Sequence, residues 1–482
     1  MKLYPELSND LIKKHMEKGE FGLEKESLRI DEDGFLSHTK HPFEEDGSIT
    51  RDFCENQTEL ITDVFDNADD MLSHLRQLQI KVLHTLQQLE TGKEYLWPFS
   101  NPPYVKGEAD IPIAQFEGEL AEKTQYRNYL ADKYGKRKML FSGIHLNYSL
   151  ADELLRKGYQ EFDEKVRTEY PTFSDTTKGL PQEEILDFQE YKNYLYMQLA
   201  GKVTKYSWLL VYLTAASPIL DESILECEDK PKDRLDWTKR TLTRYASVRC
   251  GELGYWNDFI PVLDYTNLES YIQSIEDYIH RGKLQALSEL YYPVRLKPRG
   301  ENSLDHLREH GINHIELRML DVNPLSPVGL FEEDVEFVHY FMLYLLNHMD
   351  VKLTEKEQIL AIQNEKRAAE FDDSQIFIQD AEGSRNSIRK AALEILGDME
   401  SFYETLGANA ALKNIRYQKD KLLIPDNRYA DRIRREFGTD YVKRGVRLAA
   451  KYTDEMLASV RKIDNVQMAY LKIQALERVK ER

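Results

Sequence analysis

The sequence predicts an α+β fold in one large domain spanning residues 1–482. Segments where apolar and polar residues alternate with a period of two, the mark of half-buried strands, fall within the first 330 residues. Between them, and from Glu332 onward, apolar residues recur every three to four positions, as in Phe337, Phe341, Tyr344 and Leu345, which predicts helices. No Gly/Ser/Pro-rich linker and no internal repeat divides the chain. Residues 1–330 are therefore expected to hold a sheet and its site, and residues 331–482 a supporting helical region.

The first twenty residues lack an apolar core and read as an amphipathic helix, not a secretory signal. Phe21 to Ile30 (FGLEKESLRI) follows as a strand, with Glu24 and Glu26 on one face and their Cβ atoms roughly 7 Å apart. That spacing suits carboxylates gripping divalent cations, since two buried anions repel unless something positive compensates them. A solvated acidic face is the alternative for this stretch alone. Asp31 to Gly34 is a turn, and the segments either side of it can form a hairpin.

Asp52 to Ile61 (DFCENQTELI) reads as a second strand with Glu55, Gln57, Glu59 and Ile61 on one face. Asp52 falls on the other face unless a bulge or turn intervenes. Residues 68–89 are an amphipathic helix, and Leu96 to Tyr104, with three prolines, is an apolar irregular loop. A basic, aromatic run from Tyr126 to Lys138 leads into a strand within residues 139–150, where His145 and Asn147 share a face.

Residues 151–200 are mostly helical by pattern, Tyr206 to Leu220 is a buried helix, and the charged run Glu226 to Arg240 is a solvated loop. Arg249 to Asn257 (RCGELGYWN) is a Gly-punctuated turn. Leu287 to Arg295 is expected to be a strand carrying Glu289, Tyr291 and Arg295 on one face. His314 to Asp321 alternates most cleanly, His314, Glu316 and Arg318 opposing Ile315, Leu317 and Met319, before a Pro-rich loop to Gly329.

The balance of 65 Lys plus Arg against 84 Asp plus Glu, a formal charge of −19, argues against nucleic acid or an anionic membrane as the partner. The three cysteines, Cys54, Cys227 and Cys250, have no paired spacing, so no disulfide framework or zinc ribbon is expected and a reducing cytoplasm fits best. Tyr206 to Leu220 is about 15 residues, too short to span a bilayer.

Carboxylates with an occasional imidazole on one sheet face suit Mg²⁺ or Mn²⁺, leaving positions open for phosphate oxygens. Arg318 beside such metals would complement a transferring phosphoryl group. The sequence has no GxxxxGK[ST], GxGxxG, G-x-S-x-G or HExxH motif. His306, His310 and His314 stand four apart, but Gly311 interrupts them and disfavours a zinc site.

Taken together, FGLEKESLRI, DFCENQTE, YLWPFSNPPY, the Tyr126–Ser149 run ending in SGIHLNYS, RCGELGY and IELRMLDVNPLSPVGL resemble the bacterial glutamate–cysteine ligase family, including the ligase half of fused glutathione-synthesising enzymes. The resemblance covers residues 15–330. It implies a glutamine-synthetase-like antiparallel sheet forming a funnel with helices outside, and ATP-dependent ligation of the glutamate γ-carboxylate to the cysteine amine. It further implies Glu24, Glu26, Asp52, Glu59, His145 and Glu316 as ligands of Mg²⁺ or Mn²⁺, and Arg127 and Arg318 as phosphate contacts. Arg318 and Glu316 would serve catalysis, Arg249 and Asn147 would hold L-glutamate, and Tyr255 and Tyr291 would line the L-cysteine subsite.

Two rival readings are a γ-glutamyl ligase for another amine and a catalytically silent regulator that binds nucleotide or metal. With no second ATP-binding module before Arg482, the chain as it stands is not expected to add glycine. Cys250, beside Arg249, is expected to pack rather than react. No coiled-coil seam stands out, so a monomer is expected.

Overall fold

In the computed structural model, residues 5–43, 47–169, 186–225, 241–348 and 353–480 are described. The first half contains α1 (Asn9–His15), β1 (Gly19–Asp31), β2 (Ile49–Arg51), β3 (Gln57–Ile61), α2 (Ala68–Leu86), β4 (Glu94–Leu96), α3 (Ala121–Tyr134), β5 (Gly143–Leu150) and α4 (Asp152–Glu169). There follow α5 (Phe188–Thr214), β6 (Ile219–Leu220), β7 (Thr241–Leu242), α6 (Leu268–His280), β8 (Val294–Lys297), α7 (Leu304–His310) and β9 (His314–Asp321). The last part holds α8 (Glu332–His348), α9 (Glu355–Ala368), β10 (Phe377–Gln379), β11 (Arg385–Ser387), α10 (Ile388–Leu406), α11 (Asn409–Leu423), α12 (Tyr429–Phe437) and α13 (Tyr441–Lys480).

The central sheet has the order β2-β3-β1-β5-β9-β8, every neighbouring pair antiparallel, with β4 joined to the far end of β1. This is the expected α+β class. Along β1, Leu23 points into the main core while Glu24 and Glu26 turn to the other side. Ile144, Leu146 and Tyr148 of β5 and Ile315 and Leu317 of β9 extend the apolar layer. Helices α2 and α5 cover it, and α8 adds His339 against Phe21 and Tyr148. From Val203 to Thr214, α5 is buried on nearly all sides, which is why its sequence is apolar all round rather than striped. A capping box of Asp187 and Glu190 satisfies its first amides. Among the described residues no helix is long and apolar enough to cross a membrane.

The apolar loop from Leu96 to Tyr104 buries Trp97 and Phe99 against Phe437 and Tyr441, tying the end of the chain to the sheet. Where the expected strand lay at Leu287 to Arg295, the structure has a 3-10 turn at Leu287–Glu289, and only Val294–Lys297 forms a strand. The Asn257 side chain takes the ladder's place there: its Oδ1 accepts from the Tyr291 amide at 2.9 Å and its Nδ2 donates to the Glu289 carbonyl at 2.9 Å. The helix expected over Tyr206–Leu220 ends at Thr214, before Pro218 and the short strand β6. The helical region from Glu332 is interrupted by the β10–β11 hairpin. The charged run Glu226–Arg240 lies outside the described residues.

Candidate active site

The polar face of the sheet is the wall of a cavity of about 400 Å³. Its lining includes Glu24, Glu26, Asp52, Glu59, His145 and Glu316, together with Arg127, Arg249, Tyr255, Tyr291 and Arg318. Register explains how four strands deliver them. Glu24 pairs with His145 across β1–β5, and Glu26 pairs with Glu59 across β1–β3, and residues directly opposite in an antiparallel pair point the same way.

Asp52 arrives by a route the strand pattern does not reveal. Residues 52–56 are the turn of a hairpin, with Asp52 N–H donating to Gln57 O. Thr50 of β2 pairs with Glu59 of β3, so Asp52, two residues beyond Thr50, comes to the Glu59 side. Glu55, expected beside Glu59, instead stays in the turn. Its carboxylate accepts from the amides of His41 and Gln115, at 2.9 and 3.0 Å, and lies 3.4 Å from Arg51. Between β5 and β9 the register shifts, so Arg318 and Met319 together oppose His145, and this bulge turns both side chains into the cavity.

Glu24, His145 and Glu316 form a cluster with one donor atom from each within 4.8 Å of the others. Asn147 Nδ2 donates to Glu24 Oε1 at 3.0 Å, which puts Asn147 behind the carboxylate rather than on the cavity wall. Burial, followed by the Arg318 charge, lowers the His145 pKa to about 4, so the imidazole is neutral at pH 7 with a lone pair to offer.

The carboxylates divide by compensation. Burial works against ionisation of Glu316, but Lys297, Arg318 and Arg295, at 3.6, 3.2 and 3.5 Å, together hold it well below the usual carboxylate range. Glu26 is raised to about 8 by burial and by Asp52, against the pull of Arg249 and a 2.7 Å hydrogen bond from Gly143 N–H. Burial and the charges of Asp52, Glu24 and Glu26 push Glu59 well above its ordinary value. Carboxylate oxygens with one neutral imidazole, as Glu24, Glu316 and His145 present them, have the chemistry that fits Mg²⁺ or Mn²⁺.

Further cations reach the cavity from outside the sheet. On α3, Arg127 donates to the carbonyls of Asp52, Lys123 and Arg51 and lies 4.7 Å from the Phe116 ring centre. The Arg249 guanidinium lies against Gly143, where only a glycine leaves room. Tyr255 and Tyr291 are hydrogen-bonded through their hydroxyls, their ring centres 3.8 Å apart, with Tyr134 edge-on to both.

Glu289, expected on the site face, instead receives hydrogen bonds from Tyr134 and Lys133, and the cavity lining does not include it. Cys250 is buried, its thiol donating to the Met319 carbonyl at 3.1 Å and pushed up to about 12 by burial, so it packs. Sequence reasoning missed Lys297 and Glu365 on the cavity wall. The alternation of Arg295 and Lys297 could have revealed the first. Glu365 comes from helix α9, and no periodicity marks it.

A family model described as glutamate–cysteine ligase matches residues 5–368. The glutathione biosynthesis bifunctional protein of Listeria welshimeri is 33% identical over 464 residues, 94% of this chain and 56% of that protein. The protein of the same description from Clostridium perfringens is 31% identical, over 92% of this chain and 55% of that protein. The chain thus spans little more than half the length of these relatives. Among solved structures, a bifunctional glutathione synthetase from Pasteurella multocida superposes with a TM-score of 0.72 at 26% identity, covering 93% of this chain and 54% of that one. A glutamate–cysteine ligase from Francisella tularensis, in complex with AMP, shares the fold with a TM-score of 0.74 at 23% identity, covering 91% of this chain and 89% of that one. With the family match running from α1 through α9, across every strand of the site, the chain belongs to the glutamate–cysteine ligase family.

Proposed function

We propose that the protein joins the γ-carboxylate of L-glutamate to the amine of L-cysteine at the expense of ATP, giving γ-glutamylcysteine, ADP and phosphate through a γ-glutamyl phosphate. The observation that carries this reading is the Glu24–His145–Glu316 cluster with Arg318 beside it in a cavity that also contains Arg249.

Glu24, Glu26, Asp52, Glu59, His145 and Glu316 would hold Mg²⁺ or Mn²⁺. Bound there, the cations would neutralise phosphate oxygens and the attacking carboxylate, two anions that otherwise repel. Arg318 reaches into the same space and complements charge spreading over the transferred phosphoryl group, and Arg127 offers a second guanidinium from α3. Arg249 takes the glutamate α-carboxylate. Asn147 acts through Glu24, which its amide orients. The Tyr255–Tyr291 pair, its rings tilted by 45° and uncharged, forms the wall against which the cysteine side chain packs. Carboxylate attack on the γ-phosphorus forms the new P–O bond as ADP leaves. The free amine then attacks the acyl carbon, phosphate departs with the bonding pair, the nitrogen gives up its extra proton to the departing phosphate or to solvent, and no protein nucleophile is needed. We read residues 1–482 as one ligase domain, in which α9 supplies part of the cavity wall and the later helices brace it.

The test measures ADP release with Mg-ATP and glutamate plus cysteine, 2-aminobutyrate, other amines or none, with mass analysis of the product. γ-Glutamylcysteine formed only when both amino acids are present is the expected result. Turnover with a different amine alone would overturn the cysteine subsite, and absence of ADP from folded, Mg²⁺-loaded protein would overturn the ligase reading.

A further inference from the structure

Glu365 stands apart from the sheet's carboxylates. It sits on α9, is 1% exposed, and lines the same cavity as Arg249. The Ser207 hydroxyl of α5 donates to its Oε2 at 2.6 Å, and among the described residues no cation is bonded to it. Its neighbour Lys366 points away, to Glu252 at 3.1 Å and over the Trp256 ring. Arg249 likewise makes no side-chain hydrogen bond among the described residues, although its guanidinium faces the cavity.

The two residues are tied together through the backbone. The amides of Ala246 and Ser247, just before Arg249, both donate to the carbonyl of Ala369 at the end of α9, and Phe371 N–H returns to Arg244 O. One cavity therefore presents a guanidinium and a buried carboxylate, neither of them hydrogen-bonded to an opposite charge among the described residues, although the Arg249 charge is felt by Glu26, Asp321 and Glu365. An α-amino acid, carboxylate and ammonium on one carbon, is the ligand whose charges such a pair complements.

We propose that Glu365 binds the α-ammonium of the γ-carboxylate donor while Arg249 binds its α-carboxylate, so that Glu365 is what restricts the donor to an α-amino acid. This rests on the ligase reading given above. Burial raises the Glu365 carboxyl to about 7, with Ser207, Arg249 and Lys366 opposing the rise. Cys250 and Tyr292, the titratable groups that face it from the Arg249 loop and from before β8, are themselves raised by burial and stay neutral. An incoming ammonium supplies the charge that the ionised carboxylate lacks.

The experiment compares L-glutamate with glutarate, which has the γ-carboxylate chemistry but no α-amine, in the wild type and in Glu365→Gln. A pocket built for a charged group rejects the analogue lacking it, so wild-type kcat/KM should favour glutamate by about 10²-fold or more. In Glu365→Gln, glutamate kcat/KM should fall about 10- to 100-fold while glutarate changes by no more than about twofold. The KM values for cysteine and ATP should hold. A glutamate-to-glutarate ratio that stays at the wild-type level, or a rise in the cysteine KM with glutamate unaffected, would overturn the proposal.

A wild-type measurement needs no variant to fold. The same ratio should drop as pH falls from 8 to 6, since protonated Glu365 no longer attracts an ammonium, and a flat ratio would also overturn the assignment. Wild-type protein inactive with glutamate, cysteine and Mg-ATP would remove the ligase reading itself. An active enzyme with an unchanged ratio removes only the role of Glu365.

Discussion

Gly143 opens β5 at the point where the sheet meets the Arg249 loop, and replacing it with alanine separates function from stability. A Cβ built there would fall on Nη2, Cζ and Nε of Arg249, well inside the ~3.5 Å of ordinary carbon contact. The obstacle is the far end of a flexible side chain, and Gly143 is not among the residues of positive φ, so alanine suits the backbone. The hydrogen bond from its amide to Glu26 survives. The guanidinium must therefore leave, and what is lost is a charge-assisted contact worth about 1.5–3 kcal/mol, or roughly 10- to 150-fold. Steady-state kinetics of Gly143→Ala should show the glutamate KM raised by that factor and the ATP KM little changed. Thermal unfolding should stay within a few degrees of wild type, because strands tolerate alanine better than glycine. A glutamate KM equal to wild type would refute the role of Arg249, and a collapse of the unfolding temperature would show that the guanidinium cannot move aside.

Four further outcomes follow from the same geometry. Arg318→Ala should lower kcat by about 10²-fold or more, as removal of a transition-state donor does; near-wild-type turnover in single-turnover assays would exclude the contact. Mg²⁺ at about 100 times its Kd should stabilise the protein by about 2.7 kcal/mol, and Glu24→Gln should lose most of that shift in thermal melts while keeping its metal-free stability. Because Glu26 is held at about 8 and Glu59 well above its ordinary value, Mg²⁺ binding at pH 7 should release at least one proton, and calorimetry in buffers of different ionisation enthalpy should detect it. His339 is buried, accepts from Tyr148 OH at Nδ1 (2.9 Å) and donates to Met16 O at Nε2 (2.8 Å). Burial lowers its pKa from 6.5 to about 4, so its contribution is complete above pH 6.5 and is lost as pH falls toward 4. Chemical unfolding of His339→Gln, whose amide can keep both bonds, should show up to about 3 kcal/mol less loss than wild type across that window.

Legibility in the sequence followed from how each segment meets its neighbours. On β1 and β9 one face packs on helices and the other lines the cavity, so alternation alone located Glu24, Glu26, Glu316 and Arg318. Asp52 was obscured because a turn of residues 52–56 without Gly or Pro is written in the same residue types as a strand, and only the Thr50–Glu59 register reveals the side chain's direction. Leu287 to Arg295 alternates convincingly yet is not a strand, since the Asn257 side chain claims the backbone groups that a ladder would need. Glu365 was out of reach for a different reason: its position depends on how α9 docks on α5 and on the Arg249 loop, and neither contact is local in sequence.

The uneven compensation of the carboxylates bears on the order in which the site fills. Glu316 has three cations within 4 Å and is ionised whether or not anything is bound, so it can fix Arg318 and Arg295 in advance. Among the described residues Glu26 and Glu59 have no such ring, and they share protons with the solvent until divalent charge arrives. Behind Glu26, on the apolar face of β1, Lys25 bonds among the described residues only to Gln79, and burial lowers its pKa to about 7, so near neutral pH it supplies about half a charge from below. The β3 side of the sheet thus depends on its ligands for neutrality, while the β9 side already has its cations in place around Glu316. On the function proposed above, a metal–nucleotide complex, carrying both the missing cations and an anion for Arg318, would satisfy the two sides in a single binding event, which neither free Mg²⁺ nor a free polyphosphate would do.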